Sequence, residues 1–259
     1  MSYPRNDIMQ HILETKKLGL IYDRGCDIQG LDNIFVSENI IDCHLVGKYS
    51  YISPLYLDAS KITKKDLFGE QQSGIIENFT PDFRTFIDSK YQEHFTPETI
   101  LGYIYATLYH KGYRQKYIDF LRIDYPKIPF VNDKGVFLKM SELGNALIDL
   151  HLMKEIPASK GGIGEPTYDK GIDKAKWNTA ISKIAYKADN KRLYANETLY
   201  FADVEQGVWE YKIGGYQVLD KYLKSHKGED IDFIHFKKVI QILSATLDIE
   251  KQLEQIKIF

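Results

Sequence analysis

Hydrophobic positions recur at two different periods along this chain and divide it into β-like and helical stretches. Ile8, Met9, Ile12 and Leu13 fall at helical spacing within residues 7–15, behind Asn6 and Asp7, either of which can cap a short opening helix. Runs rich in β-branched and aromatic residues follow at 18–22, 33–36, 40–46 and 55–57, punctuated by Gly25, Gly30, Gly47 and Ser53-Pro54, and these predict strands. Residues 61–74 are polar and read as an exposed loop. Thr96-Pro97-Glu98 opens the clearest helix, because a threonine cap followed by proline at the first helical position is pre-organised for entry. Ile100, Leu101, Ile104, Tyr105 and Leu108 then share a face, and Tyr113, Tyr117, Phe120 and Leu121 extend it past Gly112 as a second helix or a broken one. The segment 124–130 holds Pro126 and Pro129 and must be an extended strap. A further helix carries Phe137, Met140, Leu143, Leu147 and Leu150.

Residues 157–176 form the most polar and glycine-rich stretch and predict a long loop. Alternation resumes at 177–188 and continues in 192–194, 198–201 and 208–213, an antiparallel meander that Gly214-Gly215 closes. A short helix at 216–224 precedes a long one at 233–256 with Phe236, Val239, Ile240, Leu243, Leu247 and Leu253 on its apolar stripe. The expected fold is therefore α+β: two β-rich segments flank a helical centre, and a long helix ends the chain. It is expected to act as one unit, 1–259, subdivided into a β-rich part at 1–95, a helical part at 96–156, and a meander with C-terminal helices at 157–259.

Composition adds little to this until charge is read locally. Of 259 residues 44% are hydrophobic and 27% charged, enough for a well-filled core and unlike a disordered chain. The formal net charge of -2 offers no average attraction to a polyanion. Between 157 and 192, however, eight cations (Lys160, Lys170, Lys174, Lys176, Lys183, Lys187, Lys191 and Arg192) stand against four acids, Glu165, Asp169, Asp173 and Asp189. A solvated loop with lysines for solubility has the same pattern. The 19 tyrosines are numerous, yet Tyr103, Tyr105, Tyr109, Tyr113 and Tyr117 lie at helical spacing and read as a packed face, and Trp177 and Trp209 also read as core. Cys26 and Cys43-His44 lack paired CxxC spacing and read as ordinary thiols of a cytoplasmic protein, not a metal site. No apolar run is long enough for a membrane span. Gly161-Gly162-Ile163-Gly164 lacks the lysine of a phosphate-binding loop, and no GxSxG or HExxH is present. Glu229, Asp230 and Asp232 sit where a helix N-terminus favours acids, which accounts for them without catalysis.

Several longer passages do point to a family. Residues 96–106, Tyr113-Arg114-Gln115-Lys116-Tyr117, the run 120–129, residues 143–152 and the run 208–219 resemble, in order and spacing, the C-terminal specificity region of type ISP and related single-chain restriction-modification enzymes. The resemblance extends upstream through Pro4-Arg5-Asn6-Asp7-Ile8-Met9, 18–21, 34–36 and 53–57, so it covers nearly the whole chain. In that family the region follows an adenine-N6 methyltransferase domain with an Asn/Asp-Pro-Pro-Tyr motif and a glycine loop for S-adenosylmethionine. Neither is found here, and the chain has no Pro-Pro pair. The resemblance thus implies a target-recognition domain for double-stranded DNA, without catalytic residues, metal or cofactor of its own. It also implies an adenine-N6 methyltransferase domain or subunit as partner, with a nuclease as a further member of the system. Met1-Ser2 stands directly before a segment that looks interior to the family's long polypeptide, as in a shortened chain or a split gene. On this view the cations from Lys160 to Arg192 hold phosphates while other side chains read base edges. Two alternatives stay open: an assembly module that docks a methyltransferase or nuclease partner without touching DNA, and a stand-alone enzyme with a cleft beside Asp124 or Asp203.

Overall fold

Thr96-Pro97 begins a helix as its residue types dictate: in the computed structural model the Thr96 hydroxyl accepts a hydrogen bond from the Thr99 amide at 3.2 Å, and α3 (Pro97–Tyr109) follows. The structure describes residues 6–15, 18–25, 33–42, 45, 50–62, 74–154, 162–171 and 177–259. They fall into two compact units, Met1–Leu152 with Gln252–Phe259, and Met153–Lys251. Helices and small antiparallel sheets alternate, so the fold is α+β.

The first unit opens with α1 (Asn6–Glu14), then β1 (Gly19–Asp23), β2 (Phe35–Ser37) and β3 (Ser50–Pro54) in the order β2-β1-β3. Strict burial alternation along β1 and β3 turns Ile21 and Ile52 inward against Ile12 of α1. A second pair, β4 (Tyr56–Asp58) and β5 (Ile75–Glu77), leads into α2 (Pro81–Tyr91), capped by Thr80. The centre of the unit is α3 packed on α6 (Lys134–His151), joined by the short helices α4 (Lys111–Lys116) and α5 (Ile118–Leu121). Nearly every residue of α3 from Ile100 to Tyr109 is buried, so that helix has no wet face.

Its tyrosines are packed, as their spacing predicted, and Tyr103 joins Tyr91 of α2 and Tyr113 of α4 in holding the strap after α5 through their hydroxyls. Tyr113 donates to the Lys127 carbonyl at 3.0 Å, Tyr103 to Pro129 at 2.7 Å, and Tyr91 to Val131 at 2.7 Å. Carbonyls two residues apart point the same way in extended backbone, which is why three phenols can grip alternate residues. Burial pushes the phenols of Tyr91 and Tyr103 upward and that of Tyr113 to about 12.

His151 at the end of α6 meets the Tyr105 hydroxyl at 2.7 Å, and desolvation lowers its pKa from 6.5 to about 4. The folded protein therefore refuses a proton that the unfolded chain accepts. Stability is full above pH 6.5 and falls as the pH drops from 6.5 to about 4. The interval corresponds to about 2 kcal/mol once discounted for the ring's remaining exposure to solvent. Urea denaturation at a series of pH values should show this loss, and His151→Gln, which keeps a partner for Tyr105, should remove most of it.

The second unit is built on a sheet of order β6-β9-β8-β7, comprising β6 (Pro166–Tyr168), β7 (Ala185–Lys187), β8 (Arg192–Tyr194) and β9 (Leu199–Phe201). Leu193, Leu199 and Phe201 pack on one side with Phe236, Ile240 and Leu243 of α9 (Phe233–Glu254) and with Leu219 and Leu223 of α8 (Val218–Ser225). The apolar stripe read in the sequence is thus a packing face. Asp232 caps α9, accepting from the His235 amide at 2.9 Å. Asn196, 3% exposed, shapes the β8–β9 turn by accepting from the Thr198 and Leu199 amides and donating to the carbonyls of Asn178 and Ala180.

Several expected elements differ. Residues 40–42 form no strand; Ile40 is half-exposed, and it is β3 that pairs with β1. In 177–188 only β7 is a strand, because Ile181 and Ser182 give their amides to Glu229 and Ala195. The run 208–213 splits into α7 (Gln206–Trp209) and β10 (Lys212–Ile213), which pairs with β11 (Tyr216–Gln217) through Gly214-Gly215, both at positive φ as a tight hairpin turn requires. Tyr216 is accordingly a strand residue and not the start of a helix. The expected loop 157–176 contains β6, whose first residue, Pro166, has no amide to lose on an edge strand. Trp177 is 48% exposed, not core, and lies flat on Tyr168 with 4.5 Å between ring centres. Cys26, Cys43 and His44 lie outside the described residues. Among the described helices none is long and apolar enough to cross a membrane.

Candidate nucleic-acid interface

Three of the eight cations singled out by charge, Lys160, Lys174 and Lys176, lie outside the described residues. The other five, Lys170, Lys183, Lys187, Lys191 and Arg192, sit on or beside the four-stranded sheet. The hairpin β7–β8 sets Lys187 directly opposite Arg192, so both side chains emerge on the face away from the apolar core. That face also carries Tyr194 of β8 and its cross-strand neighbour Tyr200 of β9. The Lys187 ammonium lies 4.4 Å from the Tyr194 ring centre and the Arg192 guanidinium 4.2 Å from that of Tyr200.

Asp169, following β6, accepts from the Tyr194 hydroxyl at 3.1 Å and from Arg192 at 3.4 Å, fixing the arginine over its ring. Lys170 is next in the chain, in an exposed turn. Lys191 takes a left-handed conformation, φ 52, at the hairpin bend and pairs with Glu205 at 2.6 Å. Lys183 approaches Glu197 at 3.8 Å. The hydrogen bond to Glu205 raises the pKa of Lys191, and that to Tyr194 raises Arg192, so both stay charged.

The structure therefore divides the five. Lys183, Lys191 and Arg192 face carboxylates, whereas Lys170 and Lys187 have no carboxylate partner among the described residues. Exposed ion pairs are worth little in water, so a phosphate could replace Glu197 or Glu205 at small cost. Sequence reasoning missed Asp169, Tyr194 and Tyr200, though the alternation Arg192-Leu193-Tyr194 beside Leu199-Tyr200-Phe201 marks which residues share the polar face. Asp203, weighed as a catalytic candidate, sits at positive φ in the turn after β9. Among the described residues no three His, Cys, Asp or Glu converge to hold a metal ion.

A family model described as the Type ISP C-terminal specificity domain matches residues 1–250. Among solved structures, the fold is similar to part of the ATP-dependent Type ISP restriction-modification enzyme LlaBIII bound to DNA, with TM-score 0.65 and 19% identity over 93% of this chain. It is likewise similar to a nuclease-deletion mutant of the Type ISP restriction-modification enzyme LlaGI in complex with a DNA substrate mimic, with TM-score 0.61, 19% identity and 93% coverage. The DrdV–DNA complex solved by cryo-EM gives TM-score 0.64 and 18% identity, again over 93%. The chain spans only 16%, 21% and 24% of those three polypeptides respectively. Among curated protein sequences none matches this one.

Proposed function

The chain belongs to the Type ISP C-terminal specificity domain family, and from that premise we propose that it binds double-stranded DNA and selects the target sequence for an adenine-N6 methyltransferase domain or subunit of a restriction-modification system. The observation that carries the reading is the family match across residues 1–250. Two of the three similar structures hold DNA and the third a DNA substrate mimic, which supports it. Catalysis would belong to the partner, with a nuclease as a further member of the system. The division of labour has a physical reason: an enzyme that works on a base must take it out of the stack, so a separate surface has to read the neighbouring base edges.

The phosphate contacts are assigned to Lys160, Lys170, Lys174, Lys176, Lys183, Lys187, Lys191 and Arg192. Lys170 and Lys187 lead the described members of that set because no carboxylate among the described residues pairs with them. Replacing both, as Lys170→Gln/Lys187→Gln, should weaken binding to unrelated duplexes by similar factors, since phosphates carry no base identity. The slope of log affinity against log salt should flatten by about 0.9 for each phosphate no longer neutralised. A salt titration of wild type and variant on two duplexes reads both quantities. An unchanged slope would move the DNA face elsewhere, and a loss confined to one duplex would make these lysines base readers. Association with a methyltransferase polypeptide but with no duplex would favour the assembly-module reading.

A further inference from the structure

In the first unit α4, α5 and the strap behind them enclose a groove of about 480 Å³, lined chiefly by Tyr113, Tyr117, Phe120, Ile123, Tyr125 and Lys127. Its apolar residues are open to solvent to an unusual degree: Phe120 is 69% exposed, Ile123 73% and Tyr125 39%. A contiguous patch of this kind marks a binding surface more often than a lapse of packing. The groove is also held in shape, because the hydroxyls of Tyr113 and Tyr103 pin the strap at Lys127 and Pro129.

Charge decides what it would hold. Lys127 lines the groove together with one carboxylate, Asp124, while Lys116, beside the Tyr117 ring, and Arg122 are exposed on the same helices. Asp119 faces Arg122 at 3.3 Å and Asp124 faces Arg24 at 3.5 Å, which leaves Lys116 and Lys127 with no carboxylate among the described residues. The Lys116 ammonium stands 3.9 Å from the ring centre of Phe259 and 5.7 Å from that of Tyr117. A protein partner with an apolar face would bury these cations unpaired, at a cost. A nucleotide suits both features, since its base has a flat apolar face for the rings and its phosphate an anion for the lysines. In duplex DNA base faces are covered by their neighbours, so only an unstacked base can enter.

We infer that this groove binds one unstacked nucleotide, its base against Phe120 and Tyr117 and its phosphate at Lys116 and Lys127. The inference rests on the DNA-binding reading above but uses residues other than those of the β7–β8 hairpin.

The test uses the whole chain and three fluorescent probes: a paired duplex, the same duplex with one extrahelical 2-aminopurine, and a single strand containing 2-aminopurine. The extrahelical and single-stranded probes should bind with a change in 2-aminopurine emission. Phe120→Ala, which removes an exposed ring and should leave thermal melting unchanged, should weaken both about tenfold, as expected when a base–aromatic stack is removed. It should leave the paired duplex unaffected, and Lys116→Gln/Lys127→Gln should flatten the salt dependence of the single-strand probe. Lys170→Gln/Lys187→Gln should show the reverse pattern. Equal binding of paired and extrahelical probes, indifferent to Phe120→Ala, would overturn the groove and leave the duplex reading intact. Failure of every probe to bind would overturn both. Loss of self-association or of methyltransferase docking in Phe120→Ala, with DNA affinities unchanged, would assign the groove to a protein and overturn the inference.

Discussion

Alanine in place of Gly144 is expected to destabilise the first unit by more than about 3 kcal/mol, at or beyond the upper end of what overpacking costs. A Cβ there would fall 1.8 Å from the carbonyl oxygen of Gly102 and 3.0 Å from the Ala106 amide nitrogen. These are backbone atoms of α3, so no side chain can step aside, and the two helices would have to separate. The reciprocal position is nearly as tight, since a Cβ on Gly102 would lie 2.5 Å from the Ser141 carbonyl oxygen. Separation would loosen the packing of Tyr103, Tyr105 and Met140, all fully buried. Gly207→Ala is the control: its Cβ would meet only a Leu247 methyl at 3.5 Å, and the helix preference of alanine should make the change neutral or stabilising by up to about 1 kcal/mol. Urea denaturation of the two variants should separate them widely. Similar melting for both would show that α3 and α6 do not cross backbone to backbone.

Phe236→Ala should cost about 3 to 5 kcal/mol in the second unit. Its ring is fully buried, edge-on to Phe201 at 4.8 Å and beside Tyr222 at 5.0 Å, so truncation leaves a cavity bounded by sheet, α8 and α9. Phe236→Leu should recover much of the loss. The comparison matters for function because Phe201 and Leu193 on the inner face fix the strands whose outer face presents Lys187 and Arg192. Duplex binding should therefore fall with stability in Phe236→Ala and return at lower temperature or in Phe236→Leu, whereas a direct contact residue would show no such recovery.

Long elements with clean caps were legible in the sequence. Thr96-Pro97 and the spacing of Ile100 to Leu108 located α3, and the stripe from Phe236 to Leu247 located α9, because a period sustained over several turns dominates local noise. Thr80-Pro81 carries the same cap signature as Thr96-Pro97, yet α2 escaped notice because Phe83 and Phe86 on it are not core and blur the stripe. The three-residue strands were hardest: alternation over 177–188 was real, but a partner for those amides came from distant loops, which no local period encodes.

The candidate site divides in the same way. The excess of cations between 157 and 192 is a property of composition and needs no fold. Which of them remain available is a property of pairs far apart in sequence, such as Arg192 with Asp169 and Lys191 with Glu205. The groove beside the strap was hidden for the opposite reason. Tyr113, Tyr117 and Phe120 share a helical period, and that period identifies a face without telling whether another part of the chain covers it. Tyr113 is buried and Phe120 is open, a difference set by the strap carbonyls that tyrosine hydroxyls reach.

If this chain chooses a DNA sequence, selection from a library of random duplexes should reveal which one. The whole chain, fused or bound to the proposed methyltransferase partner if its own affinity is too low, would be incubated with the library at moderate salt. Bound molecules would be recovered and sequenced over successive rounds. A single short motif should be enriched, with each mismatch in it costing about 1 to 3 kcal/mol, and Lys170→Gln/Lys187→Gln should select the same motif at lower overall yield. Recovery of duplexes without any shared sequence, or of none above a control lacking the chain, would contradict sequence choice by this chain.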